Sequence, residues 1–153
     1  MALLLKNLLF TVLVPGTVAV WAPLRLAGDR TPAWGPAALL LLGLGAGLYA
    51  WCVFNFARHG RGTPAPIDAP RRLVVGGPYR VIRNPMYVAV LSVIAGQVAL
   101  FRAPALLAYG AAVAGCFALF VILYEEPHLR RTFGAEYEAY AARVGRWLPH
   151  RPR

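Results

Sequence analysis

The sequence predicts an all-α integral membrane protein: four transmembrane helices, the third and fourth forming a helical hairpin, with a C-terminal amphipathic helix packed at the cytosolic face. Three observations lead there. Hydrophobic residues make up 59% of the 153 positions and charged residues only 14%, too apolar a balance for a soluble domain of this size. The apolar residues gather into four runs, most of them close to the ~20 residues that carry a helix across a ~30 Å hydrocarbon core. The formal net charge of +10 sits in the connectors between runs. There it acts as a membrane-orientation signal, and the lack of a basic helix face beside stacking aromatics argues against nucleic acid as a partner.

The chain is read as one membrane domain in four parts, residues 1–57, 58–85, 86–124 and 125–153. Leu3 to Leu26 is the first span, and Pro15-Gly16 in its middle predicts a kink or break, because proline removes a backbone donor and crowds the preceding turn. Ala27 to Gly35 is a short polar connection. Pro36 to Phe56 is the second span, where Gly43 and Gly47 have the spacing that admits a close neighbour, inside the monomer more readily than across a dimer. Asn55, at its end, is a polar contact available to a ligand or to the interface. Cys52 and Cys116 lie inside apolar runs and read as packing residues, with no partner at metal-ligand spacing.

Residues 58–85 form the one long hydrophilic stretch, with Thr63 to Pro66 extended. Met86 to Phe101 is a third, slightly short run, and Phe101-Arg-Ala-Pro104 turns into the fourth, Ala105 to Tyr124, whose Gly110, Ala111, Ala114 and Gly115 give a face for close packing. After Pro127, Leu129, Phe133, Tyr137, Tyr140 and Val144 recur every three or four residues, which predicts an amphipathic helix. Trp147 anchors the tail at the interface. Arginines concentrate in the central loop and tail, so the positive-inside rule puts both, and both termini, in the cytoplasm of a multi-pass protein. The basic residues are almost all arginine, and with abundant Ala, Gly and Pro this suggests a GC-rich prokaryotic genome and hence an inner or plasma membrane.

Two polar knots interrupt the apolar pattern. The first runs from Gly76 to Tyr87, Gly-Gly-Pro-Tyr-Arg-Val-Ile-Arg-Asn-Pro-Met-Tyr. Gly76 and Gly77 let the backbone come close to a ligand, Pro78 stiffens the turn, and Tyr79 offers a ring and a hydroxyl. Arg80 and Arg83 share a side of a helical turn, and an arginine there can grip a carboxylate with two donors. Asn84 can cap the third helix, with Pro85 in its first turn. The second knot is Glu125-Glu126-Pro127, read as ending the fourth helix. Two acids at a helix C-terminus oppose the macrodipole and call for a cation: Arg80, Arg83, or a bound ammonium or sulfonium. The hairpin brings the two knots to one membrane depth.

These residues resemble a known family. Gly-Pro-Tyr-Arg-x-x-Arg-Asn-Pro-x-Tyr, then a hairpin, then Glu-Glu-x-x-Leu-x-x-x-Phe-Gly-x-x-Tyr-x-x-Tyr, is similar to the isoprenylcysteine carboxyl methyltransferase and phospholipid methyltransferase group of membrane enzymes. The resemblance covers Leu73 to Pro149, and the first two helices resemble only generic spans. It implies S-adenosylmethionine as methyl donor and a lipophilic acceptor arriving sideways from the bilayer. It further implies Glu125 and Arg83 as catalytic residues, and Gly76, Gly77, Pro78, Tyr79, Arg83, Asn84, Pro85, Tyr87, Glu125 and Glu126 as the cofactor site. Arg83 would match the methionine carboxylate and the acidic pair the sulfonium, while Phe133-Gly134 and Tyr137 would be structural. Asn84 stands where a histidine is common, Ala89 where glycine is, and Gly145 where proline is. Val121 to Tyr124 lacks the arginine with which eukaryotic carboxyl methyltransferases hold a prenylcysteine carboxylate. The acceptor therefore stays open among an isoprenoid or lipid carboxylate, a phospholipid amine and a thiol. An NADPH-dependent lipid reductase of sterol type and a non-enzymatic membrane accessory subunit are the alternatives.

Overall fold

In a computed structural model, residues 2–60 and 72–149 are described. The expected Thr63 to Pro66 element, together with Arg61 and Arg71, lies outside them. The described residues are helical and contain no strand beyond one isolated bridge. Three helical stretches are long and apolar enough to cross a membrane: Leu8–Ala27, Pro36–Arg58 and Pro104–Phe133. A fourth apolar helix, Pro85–Phe101, is shorter. Large apolar side chains such as Leu40, Leu44, Leu107 and Leu123 lie exposed along these helices, as lipid-facing residues do.

The first stretch comprises α1 (Ala2–Leu13), a π-helical turn (Thr17–Trp21) and α2 (Ala22–Ala27). The irregularity begins at Pro15, as the sequence predicts, and has a second cause at Pro23. The Ala22 N–H reaches back five residues to the Thr17 carbonyl, and Pro23 has no N–H to give. Neighbouring helices satisfy the carbonyls left over. Tyr109 Oη donates to Val18 O at 2.8 Å, and Gln97 Nε2 donates to Ala19 O at 2.5 Å. A proline-induced fault in one helix thus becomes the polar joint that fastens it to the hairpin.

The second span is α3 (Pro36–Asn55), and the hairpin is α4 (Pro85–Phe101) and α5 (Pro104–Phe120). Arg102 makes the turn between them in a left-handed conformation, its N–H closing α4 on Val98 O at 2.9 Å. Helices α3 and α4 pack closely through glycines other than the expected pair. A Cβ at Gly45 would lie 2.8 Å from the Ala89 carbonyl, and one at Gly96 would lie 2.8 Å from Leu42 Cγ. Gly43 and Gly47 face open space. The spacing of two glycines marks a smooth face, but helix rotation decides which glycine meets a neighbour.

The largest departure from expectation lies at the second knot. The helix does not end at Glu125-Glu126. It passes through a π turn, Val121–Glu125, in which the Glu126 N–H reaches back to Val121 O, and continues as α6 (Glu126–Phe133). The wider turn lets Pro127, which lacks a donor, follow without breaking the run. The two acids are therefore mid-helix, and the macrodipole conflict read from the sequence does not arise. The apolar stripe expected in one C-terminal helix is shared between α6 and α7 (Ala135–Arg143), separated at Gly134, whose φ of +50° favours glycine.

Candidate active site

The first knot is a 3-10 turn, Gly77–Arg80, leading into α4. Gly77 has φ +57°, and a Cβ on it would lie 2.6 to 2.8 Å from the Asn55 amide. Asn55 is buried and donates from Nδ2 to Trp51 O at 2.9 Å. Its part is thus to seat the turn on the end of α3. Tyr79 then falls inside the protein, edge-on to Phe56 with centroids 5.6 Å apart and packed with Cys52 and Val74. Tyr140 from α7 donates its hydroxyl to Tyr79 O at 2.7 Å. Burial holds the phenols of Tyr79, Tyr137 and Tyr140 above their ordinary pKa, so all three remain hydroxyl donors.

The second knot faces this turn, and its two glutamates have different surroundings. Glu126 is buried and ringed by guanidinium groups. Arg146 grips it with two bonds, Nε to Oε1 at 2.7 Å and Nη2 to Oε2 at 2.9 Å. Arg83 Nη2 lies 3.3 Å from Oε1 and Arg130 Nη2 lies 3.7 Å from Oε2. The bonds to Glu126 push the Arg146 pKa up. Arg130 also pairs with Glu138 at 2.8 Å. Glu125, by contrast, accepts one hydrogen bond, from Tyr87 Oη at 2.6 Å, and pairs with no basic group among the described residues.

Arg83 links the knots. Its Nη1 donates to Tyr137 Oη at 3.0 Å and its Nη2 meets Glu126, while Nε is buried with no partner among the described residues. The chain end braces the assembly from outside. Gly145 forms a parallel bridge with Ile82 and accepts the Arg83 N–H at 2.8 Å. Asn84 makes no side-chain cap on α4; its Nδ2 donates to Arg146 O at 3.1 Å. Trp147 stands edge-on to Tyr87 at 6.3 Å.

Between the knots lies a cavity of about 560 Å³. Of the ten residues singled out in sequence, Tyr79, Arg83, Asn84, Tyr87, Glu125 and Glu126 line it. Gly76, Gly77, Pro78 and Pro85 instead shape the turn behind it, Pro78 and Pro85 both buried. Arg80 is exposed and does not reach the acids. The sequence reading missed Arg146, counted only as a tail charge, and His128, which also lines the cavity. Tyr137, expected to be structural, both lines the cavity and holds Arg83. Phe10 and Val14 of the first stretch and Phe117, Phe120 and Tyr124 of the last supply apolar lining. A charged corner thus lies under an apolar cavity.

The model of the phospholipid methyltransferase family matches residues 35–136. The chain belongs to the phospholipid methyltransferase family. No curated protein and no solved structure matches it. The match takes in both knots and the hairpin, so Tyr79, Arg83, Asn84, Tyr87, Glu125 and Glu126 fall inside the unit that defines this family of methyltransferases, while Tyr137 and Tyr140 lie just past its end. It also begins at Gly35 and takes in α3, which the sequence reading had set aside as a generic span. That fits the part Asn55 plays in seating the Gly76-Gly77 turn. The brace around Arg146 lies beyond the matched residues.

Proposed function

We propose that this phospholipid methyltransferase family member transfers a methyl group from S-adenosylmethionine to the amine of a lipid, at the cytosolic face of a membrane crossed by four spans with both termini inside. The observation that carries the reading is the unequal charging of the two glutamates. Three arginines are spent on Glu126, leaving Glu125 as the cavity-wall carboxyl with no basic partner among the described residues. A cationic ligand answers that charge.

The residues present fit the donor. The cavity volume falls within the roughly 300–1,000 Å³ usual for small-molecule sites. Arg83 Nε is a buried donor awaiting an acceptor, which the methionine carboxylate supplies. Glu125 stands for the sulfonium, and Tyr79, Asn84 and Tyr87 complete the wall. When bound, S-adenosylmethionine supplies a methyl already activated by its positive sulfur. The protein therefore has to position the reactants and exclude water rather than generate a strong nucleophile. Tyr87 fixes Glu125, Tyr137 and Glu126 fix Arg83, and Arg146 fixes Glu126.

The same charge distribution favours an amine over a carboxylate acceptor, since among the described residues no cavity-lining arginine is left to hold a second carboxylate. Val14, Phe120 and Tyr124 line the cavity and are also exposed on helices read as lipid-facing, which gives an acyl chain a continuous apolar path from the bilayer. Incubating the full chain in nanodiscs with methyl-labelled S-adenosylmethionine and phosphatidylethanolamine tests the reading. Label in the lipid fraction is expected. Label appearing only with lipid carboxylates, or in no lipid, would overturn it.

A further inference from the structure

His128 is the imidazole that lines the cavity, and nothing described above employs its nitrogens. It lies one turn beyond Glu125 on the same continuous helical run, so the two share a side. Its ring stacks on Tyr124, interplanar angle 1° and centroids 6.0 Å apart, which fixes the plane while leaving both nitrogens without a hydrogen bond among the described residues. The side chain is half-buried, open both to the cavity and to the surface.

An amine needs such a group. In neutral water a lipid amine is an ammonium with no lone pair to offer. We propose that His128 accepts the proton that the bound ammonium must lose before its nitrogen attacks the methyl carbon, an inference that rests on the amine reading above. The N–H bonding pair stays on nitrogen as the lone pair while the proton passes to an imidazole nitrogen. That lone pair forms the new N–C bond as the C–S bonding pair leaves with sulfur, and the imidazolium returns its proton to water at its exposed edge. Most other ionisable groups on the cavity wall have partners. Arg83 is a donor, Tyr79 and Tyr140 are buried hydroxyls, Tyr137 accepts from Arg83, Glu126 is held by arginines, and Glu125, bonded to Tyr87, is assigned above to the donor's sulfonium; Cys116 and Tyr124 supply a thiol and a phenol, poorer proton acceptors than an imidazole nitrogen. An imidazole is also the side chain best suited to proton exchange near neutral pH.

The test compares two acceptors on the full chain in nanodiscs, wild type against His128→Asn. Octadecylamine is an ammonium at pH 7 and must be deprotonated, whereas 4-dodecylaniline is already neutral. S-adenosylhomocysteine affinity, expected to stay within about twofold, checks that the variant is folded. A positioned general base contributes about 10²- to 10⁴-fold, so octadecylamine methylation should fall roughly 100-fold or more while dodecylaniline methylation changes less than about threefold. Equal loss with both acceptors, or no loss with octadecylamine, overturns the proposal. If the wild type binds S-adenosylhomocysteine but methylates neither amine, the amine reading falls and this inference with it; if it does not bind, the methyl-donor reading itself has failed.

Discussion

Replacing Arg146 with alanine tests whether the chain end holds the charged corner together. The substitution deletes two charge-assisted hydrogen bonds to a carboxylate whose side chain is only 5% exposed. Breaking a fully buried pair costs about 3–5 kcal/mol because the remaining charge loses its partner. Here Glu126 keeps Arg83 at 3.3 Å and Arg130 at 3.7 Å, and the Arg146 side chain is itself 36% exposed. The loss should therefore be about 1.5–3 kcal/mol, near the value of one good bond to a charged group. At roughly 2–4 °C per kcal/mol for a chain of this size, thermal unfolding in detergent, followed by tryptophan fluorescence, should drop by about 3–12 °C. Arg83, pulled harder toward the depleted Glu126, should also bind S-adenosylhomocysteine more weakly. Arg146→Lys keeps the charge but not the planar fork and should recover less than half of the lost stability. An Arg146→Ala variant that melts within 1 °C of wild type would falsify the bracing role.

Other substitutions probe the joints around the site. Gly77→Ala forces a Cβ into the Asn55 amide at a positive φ, and overpacking of about 1–3 kcal/mol plus about 1–2 kcal/mol for the left-handed backbone should lower the melting temperature far more than Gly76→Ala, where the nearest contact is an ordinary 3.5 Å. Gln97→Leu leaves the Ala19 carbonyl without its side-chain donor and should cost about 1–3 kcal/mol, seen as a lower melting temperature with unchanged cofactor affinity. Tyr87→Phe frees Glu125 from its 2.6 Å bond, so it should reduce the methylation rate while the protein remains folded by the same fluorescence measure.

The helices and the meeting of the two knots were legible in the sequence because both follow from apolar run length and a short proline turn. Local pattern could not show what depends on helix rotation or on a fault in the ladder. Gly43 and Gly47 have the right spacing, yet Gly45 faces α4. Pro127 looks like a stop signal, but the π turn before it carries the helix on, and so the acids lie within the run rather than at its end. Asn55 and Asn84 looked like a ligand contact and a cap; Asn55, bonded within its own helix, packs against the Gly77 turn, and Asn84 clamps the distant Arg146 backbone. Arg146 was hidden among the tail arginines, since its partner is twenty positions away and no periodicity connects them. One signal was available: a buried acid adjacent to a second acid requires more positive charge than Arg83 alone supplies.

The central claim is that Glu125, rather than Glu126, faces the positive sulfur of the donor. Titrating S-adenosylmethionine and S-adenosylhomocysteine into wild type and Glu125→Gln by calorimetry, with NADPH alongside, tests it most directly. S-adenosylhomocysteine has no charge on sulfur, so the substitution should weaken S-adenosylmethionine about tenfold or more, for a loss of roughly 1.4 kcal/mol or above, and S-adenosylhomocysteine much less. NADPH should not bind. Equal affinities for both ligands before and after the substitution, or saturable binding of NADPH alone, would contradict the account.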